Sequence, residues 1–155
     1  RMDIETRLRE MGITLPPAGK PSHAHVHERQ VGNLLYVAGH SPKKDGQYPY
    51  LGKVGADVTV EQGQESARNC VVNCLASVLA HVGDLNRIKG VVKLVGYVAS
   101  APTFTRQAEV INAASDLLIA VFGEDGRHAR TSVGVAVLPG DIPVEIDMVL
   151  EVEAV

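Results

Sequence analysis

Two charged side chains near the end of the chain could do chemistry together, Arg130 and Glu145. A guanidinium offers a rigid fork of donors that pairs bidentately with a carboxylate. A glutamate can accept a proton or orient a water. Both stand in one run, His128-Ala-Arg-Thr-Ser-Val-Gly-Val-Ala-Val-Leu-Pro-Gly-Asp-Ile-Pro-Val-Glu-Ile-Asp147, which reads as strand, tight turn and strand. Thr131, Val133, Val135 and Val137 alternate with Arg130, Ser132, Gly134 and Ala136, and period two sends these sets to opposite faces. The branched set suits a core. The small set leaves floor space beside Arg130 for a ligand. Pro139-Gly140-Asp141 supplies the turn. Val144, Ile146 and Met148 then alternate with Glu145 and Asp147, and a hairpin would bring Arg130 and Glu145 to one surface. The bland use of Arg130 is a salt bridge to Glu145 or Asp147; that of Glu145 is a solvated strand carboxylate. Ser132 has no His/Asp relay in the sequence, so a nucleophilic triad is not supported.

Other residues that could bind are histidines and cysteines. His23, His25 and His27 alternate and would point one way on a strand. Imidazole is a common metal ligand, but no paired Cys or carboxylate cluster supplies the remaining ligands, so the reading without metal is preferred. Cys70 and Cys74 lie four apart in a helical pattern and share a face. A thioredoxin-type motif needs a different spacing, and the pair reads as buried small hydrophobes.

These groups must be positioned by a chain of 155 residues, 45% hydrophobic, with net charge −3. Such a length buries roughly 68–70% of the unfolded surface, enough for a sizeable core in one domain. No apolar run is long enough to span a bilayer, and the N-terminus has no apolar signal core, so a cytoplasmic protein without a membrane partner is expected. Acidic balance and 4% aromatic residues without Trp argue against nucleic acid as a partner.

Residues 3–12 read as a short helix, with Ile4, Leu8 and Met11 at helical spacing, making residues 1–14 an N-terminal helical extension to a domain over 15–155. Leu15-Pro-Pro-Ala-Gly-Lys-Pro21 is a breaker-rich linker. Gln30-Val-Gly-Asn33 is a turn, Leu34 to Ala38 a strand, and residues 43–57 a hairpin or loop. Thr59 and Gln62 form a capping box for a helix reaching about His81, with Gly83 as its stop. Val91 to Val98 is a branched, central strand. Ser100-Ala-Pro-Thr103 starts a second helix that Gly123 ends, with Asn112 half-buried beside its apolar stripe. Strand, strand, helix, strand, helix, strand, strand gives a two-layer α+β sandwich, a mixed sheet with two helices on one face. The other sheet face is Val-rich and calls for association.

Ala129-Arg130-Thr131-Ser132-Val133, Leu138-Pro139 and Val144-Glu145-Ile146 together resemble the C-terminal signature of the YjgF/RidA family, enamine/imine deaminases with an older description as endoribonuclease L-PSP. The resemblance runs from about residue 15 onward. It implies a chorismate-mutase-like fold, a homotrimer with pockets between subunits, and hydrolysis of 2-imino acids to 2-keto acids and ammonia without a cofactor. Arg130 and Glu145 would be the catalytic pair. Ser132, where the family often has cysteine, Asn112, His25, Gly39 and His40 would join Arg130 in binding substrate. Ala38-Gly39-His40 departs from the family's Ser-Gly-Gln. Three rivals stand beside this reading: a non-catalytic carboxylate-binding trimer, a chorismate-mutase-type pericyclic enzyme, and a ribonuclease.

Overall fold

The computed structural model describes residues 2–154; Arg1 and Val155, the outer ends of the two expected segments, lie outside the described residues. Local chemistry sets the helices. In α2 (Val60–Val82) the Gln62 amide donates to Thr59 Oγ1 at 3.1 Å, and the Thr59 amide donates to Gln62 Oε1 at 3.0 Å. At its far end Gly83 takes φ 78°, where its amide reaches the Leu79 carbonyl. The second long helix, α3 (Gln107–Phe122), starts later than Ser100-Ala-Pro-Thr103 suggests. The Ser100 hydroxyl donates to the Val98 carbonyl at 2.7 Å and accepts from Gln107 Nε2 at 3.2 Å, and a turn at residues 102 and 103 with irregular backbone to Arg106 precedes the helix.

Five strands, β1 (Glu28–Val31), β2 (Leu34–His40), β3 (Ile88–Ala99), β4 (Ala129–Val135) and β5 (Val144–Val152), form one sheet in the order β1-β2-β5-β3-β4. β4 runs parallel to β3, and every other neighbouring pair is antiparallel. This corrects the expected hairpin. β4 and β5 do not pair, because β5 is inserted between β2 and β3 while α3 carries the chain across to β4 on the far side of β3. Residues 22–27 are bends rather than a strand, so His23, His25 and His27 do not share a strand face.

Both long helices cover one face. Leu35, Val37, Leu94, Val98, Val144, Ile146, Met148 and Leu150 point into that layer and meet Cys70, Cys74, Leu75, Ile111 and Leu118. Each large apolar side chain buried there contributes roughly 1.5–3 kcal/mol relative to exposure. Packing is close: a Cβ on Gly96 would lie 2.5 Å from Ile111 Cδ1. Both thiols are fully buried and reach the Val144 and Ile146 carbonyls at 3.5 and 3.7 Å. Burial pushes both thiols up, away from the reactive thiolate.

A short helix, α1 (Ile4–Glu10), begins at Asp3, whose carboxylate accepts from the Thr6 amide. It is not free-standing. Ile4 and Leu8 are buried in the core, the Ile4 amide donates to Asn86 Oδ1, and Arg7 Nη1 donates to the Ala120 carbonyl of α3 at 2.7 Å.

The helix-free face carries the other half of each alternation. Its large apolar groups include Tyr36, 50% exposed, and Val133, 38% exposed. Here the face assignment for β4 is the reverse of expectation. Arg130 pairs in register with Leu94, and Gly134 with Val98, so Arg130, Ser132 and Gly134 lie on the helix side. Thr131, Val133 and Val135 lie on the open side. The small residues are needed where α3 packs: a Cβ on Gly134 would fall 2.7 Å from Gln107 Nε2.

Candidate functional site

Two clusters hold the residues with chemical potential, one where β2 and β5 meet α2 and the other where β4 meets α3. The first is a cavity of about 650 Å³ lined by His25, His27, Gly39, His40 and Glu145 with the strap from Pro16 to Ser22. An irregularity in the pairing of β2 with β5 between Val37 and His40 swings Gly39 against Glu145. A Cβ on Gly39 would collide with Glu145 Oε2 and lie 2.9 Å from Cδ, so only glycine leaves that carboxylate its place. Burial, and then the like charge of Asp147, push the Glu145 carboxyl above its ordinary range. Asp147 is itself fixed by the Tyr97 hydroxyl, which donates to Oδ2 at 2.8 Å. That bond, more than burial, pushes the Tyr97 phenol up to about 12.

His40 closes the cavity wall. Its Nδ1 donates to the Ala38 carbonyl at 2.6 Å, which leaves Nε2 of the neutral ring to accept from the Ser77 hydroxyl at 2.7 Å. Burial holds it below the ordinary histidine range, against the opposing Ala38 bond and with help from His27. Both nitrogens are therefore engaged within the chain, and His40 presents ring carbon to the cavity. His27 meets it edge-on with centroids 5.0 Å apart, and His25 lies 6.2 Å beyond. Among the described residues no group of three or more His, Cys, Asp or Glu is placed to hold a metal ion.

The second cluster surrounds Arg130 where β4 meets α3. Nη1 donates to Asn112 Oδ1 at 2.8 Å and to Ser115 Oγ at 3.2 Å. No ion pair joins Arg130 to a carboxylate among the described residues. Two donors on Nη1 are used, and Nε–H with both Nη2–H groups makes no hydrogen bond to a described residue. That side of the guanidinium is the edge that grips a carboxylate with two parallel bonds. Asn112, expected half-buried, is exposed. Ser132, two residues along the same face, has a buried hydroxyl without a partner among the described residues.

Arg130 aligns with Leu94 on the helix side, while Glu145 aligns with Tyr97 on the open side. Within one chain the two do not share a surface. The structure does gather His25, Gly39, His40 and Glu145 in one cavity, and Asn112, Arg130 and Ser132 at one strand–helix junction. Sequence reasoning missed Ser77, Ser115, His128 and Tyr97. The one local signal was Asn112-x-x-Ser115, two polar groups a single turn apart on one helix face.

Comparison with known proteins agrees with this architecture. The family described as "YjgF/chorismate_mutase-like, putative endoribonuclease" matches residues 5–150. Protein TCP17 of Trypanosoma cruzi is 44% identical over 149 residues, covering 96% of this chain and 93% of its own length. The crystal structure of Atu1372 from Agrobacterium tumefaciens, a protein of unknown function, is 48% identical with a TM-score of 0.91, covering 97% of this chain and 92% of its own. A Shewanella oneidensis protein with the same endoribonuclease description is 30% identical with a TM-score of 0.94, covering 97% and 100%. From its β-β-α-β-α-β-β order and from these matches, the chain belongs to the YjgF/chorismate mutase-like family.

Proposed function

We propose that the protein hydrolyses reactive 2-imino acids of the 2-aminoacrylate type to 2-keto acids and ammonia. The observation that carries this reading is the unpaired Nε–H/Nη2–H edge of Arg130, a carboxylate clamp that no described acidic side chain neutralises. The substrate carboxylate docks on that edge. Water adds to C2 of the imine, the C–N bond breaks, and the water oxygen stays as the new carbonyl while nitrogen leaves as ammonia. Glu145 orients the water and carries a proton between it and the departing nitrogen, a task suited to a carboxyl whose pKa burial has raised. Such imines hydrolyse unaided, so orientation and electrostatics suffice and no cofactor is required.

Because Arg130 and Glu145 face opposite sides of one sheet, they act on one ligand only when different copies contribute them. We therefore propose a homotrimer that uses the helix-free face with Tyr36, Val92 and Val133. Sedimentation tests the assembly, and a monomer with full activity would end the shared-site reading. A coupled assay of imine hydrolysis with Arg130→Ala tests the chemistry: loss of activity is expected, and unchanged turnover would remove this role for Arg130.

A second reading, carboxylate binding without turnover, draws on His40, whose nitrogens are both closed off from the cavity. Saturable binding of several 2-keto acids with no acceleration of imine hydrolysis would select it.

A further inference from the structure

The donor arrangement around Arg130 depends on two side chains that play no part in the reading above, Ser115 and His128. The Gly126 carbonyl can only accept, so His128 Nδ1, 2.7 Å away, carries the proton. Nε2 of the neutral ring is then an acceptor, and the Ser115 hydroxyl donates to it at 2.9 Å. With its proton committed, Ser115 Oγ turns its lone pairs to Arg130 Nη1 at 3.2 Å. Asn112, one helical turn before Ser115, takes the other Nη1 proton at 2.8 Å. A guanidinium held by one bond can swing or rotate about its Cζ–N bonds. One held by two acceptors on a single nitrogen has its plane fixed, and the opposite Nε–H/Nη2–H edge with it.

We propose that Ser115 and His128 are positioning residues for carboxylate binding: His128, anchored on the Gly126 carbonyl, sets the Ser115 hydroxyl so that it fixes the binding edge of Arg130. This deepens the reading of Arg130 as the carboxylate clamp and rests on it. Neither residue touches the ligand. Their effect falls on affinity, because both act only through the carboxylate-binding edge of Arg130.

The test has two arms, both on the full chain. In the first, pyruvate is the probe and its binding is measured by calorimetry for wild type, Ser115→Ala, His128→Ala and His128→Gln. A lost hydrogen bond to a charged group weakens binding by about tenfold. Ser115→Ala and His128→Ala should each raise Kd by about five- to tenfold, the double variant should be no worse than either alone, and His128→Gln should recover binding because its amide oxygen can replace Nε2 as acceptor. In turnover the same variants should raise KM with kcat unchanged. In the second arm, nitrogen NMR of the Arg130 guanidinium without ligand should show distinct Nη1 and Nη2 signals in wild type that merge in Ser115→Ala.

Pyruvate binding that is abolished by Arg130→Ala yet untouched by Ser115→Ala and His128→Ala would overturn the positioning role and spare the clamp. Absence of pyruvate binding in wild type would overturn the clamp, and the NMR arm would still decide whether Ser115 fixes the guanidinium. Loss of kcat with unchanged KM in the Ser115 or His128 variants would also refute the proposal.

Discussion

Gly39→Ala separates the proposed role of Glu145 from its part in the fold. The added methyl would collide with Glu145 Oε2 and approach Cδ to 2.9 Å and Cγ to 3.2 Å. The atoms in its way belong to the far end of a flexible side chain at the edge of an open cavity, so the carboxylate swings aside and the backbone stays. The fold should hardly notice: the cost stays below about 1 kcal/mol, under the ~1–3 kcal/mol of an overpacked core, and shifts Tm by less than about 4 °C in a chain of this size. The chemistry should notice a great deal. Displacing the group that holds the attacking water by about 1 Å costs about a hundredfold. The assay is kcat for coupled imine hydrolysis measured beside thermal unfolding of the same preparation. An unchanged kcat in a folded variant would show that the position of Glu145 beside Gly39 does not matter to turnover, and the proposed water-orienting role would be refuted.

Three further outcomes follow from named contacts. Gly96→Ala drives a methyl into Ile111 on the packed side of the sheet and should destabilise by about 1–3 kcal/mol in urea unfolding; a neutral result would mean that α3 shifts freely. Ser77→Ala removes the donor to buried His40 Nε2 and should cost about 1–2 kcal/mol, read as a lower urea midpoint with unchanged slope. Glu145→Gln should be more stable than wild type at neutral pH. The folded protein holds the Glu145 proton more tightly than the unfolded chain, so its stability contribution is full in acid and is lost as pH rises through the raised pKa. The advantage of the variant should therefore shrink on acidification, and a gap that is constant with pH would contradict that cause.

Much of the architecture was legible because it is written locally. Thr59 and Gln62 announce the start of α2 and Gly83 its end, and each acts within four residues. The order of elements was legible as well, and with it the layer arrangement. What local patterning lacks is the partner of each strand and the covered face. In β4 one alternating set is branched and the other is small apart from Arg130, so composition favours the branched set for the core. The close approach of α3 decides otherwise, because only Ser132 and Gly134 leave room beneath it. Likewise a short connection suggests that β4 and β5 are neighbours, yet β3 lies between them, a pairing set by contacts distant in sequence. The individual site residues were readable from their chemistry. Their division between two clusters was not, since it depends on that strand order. Ser115 and His128 escaped notice because a hydroxyl and an imidazole thirteen residues apart acquire meaning only once α3 and β4 are laid together.

The pair Cys70 and Cys74, sealed between α2 and β5, gives the protein an internal stopwatch. A thiol-specific reagent added to the native protein has nothing to attack until that helix lifts from the sheet, so at reagent concentrations where labelling outpaces reclosing its rate counts those openings. No engineered reporter is needed to follow how often the innermost layer parts, or how a ligand slows it.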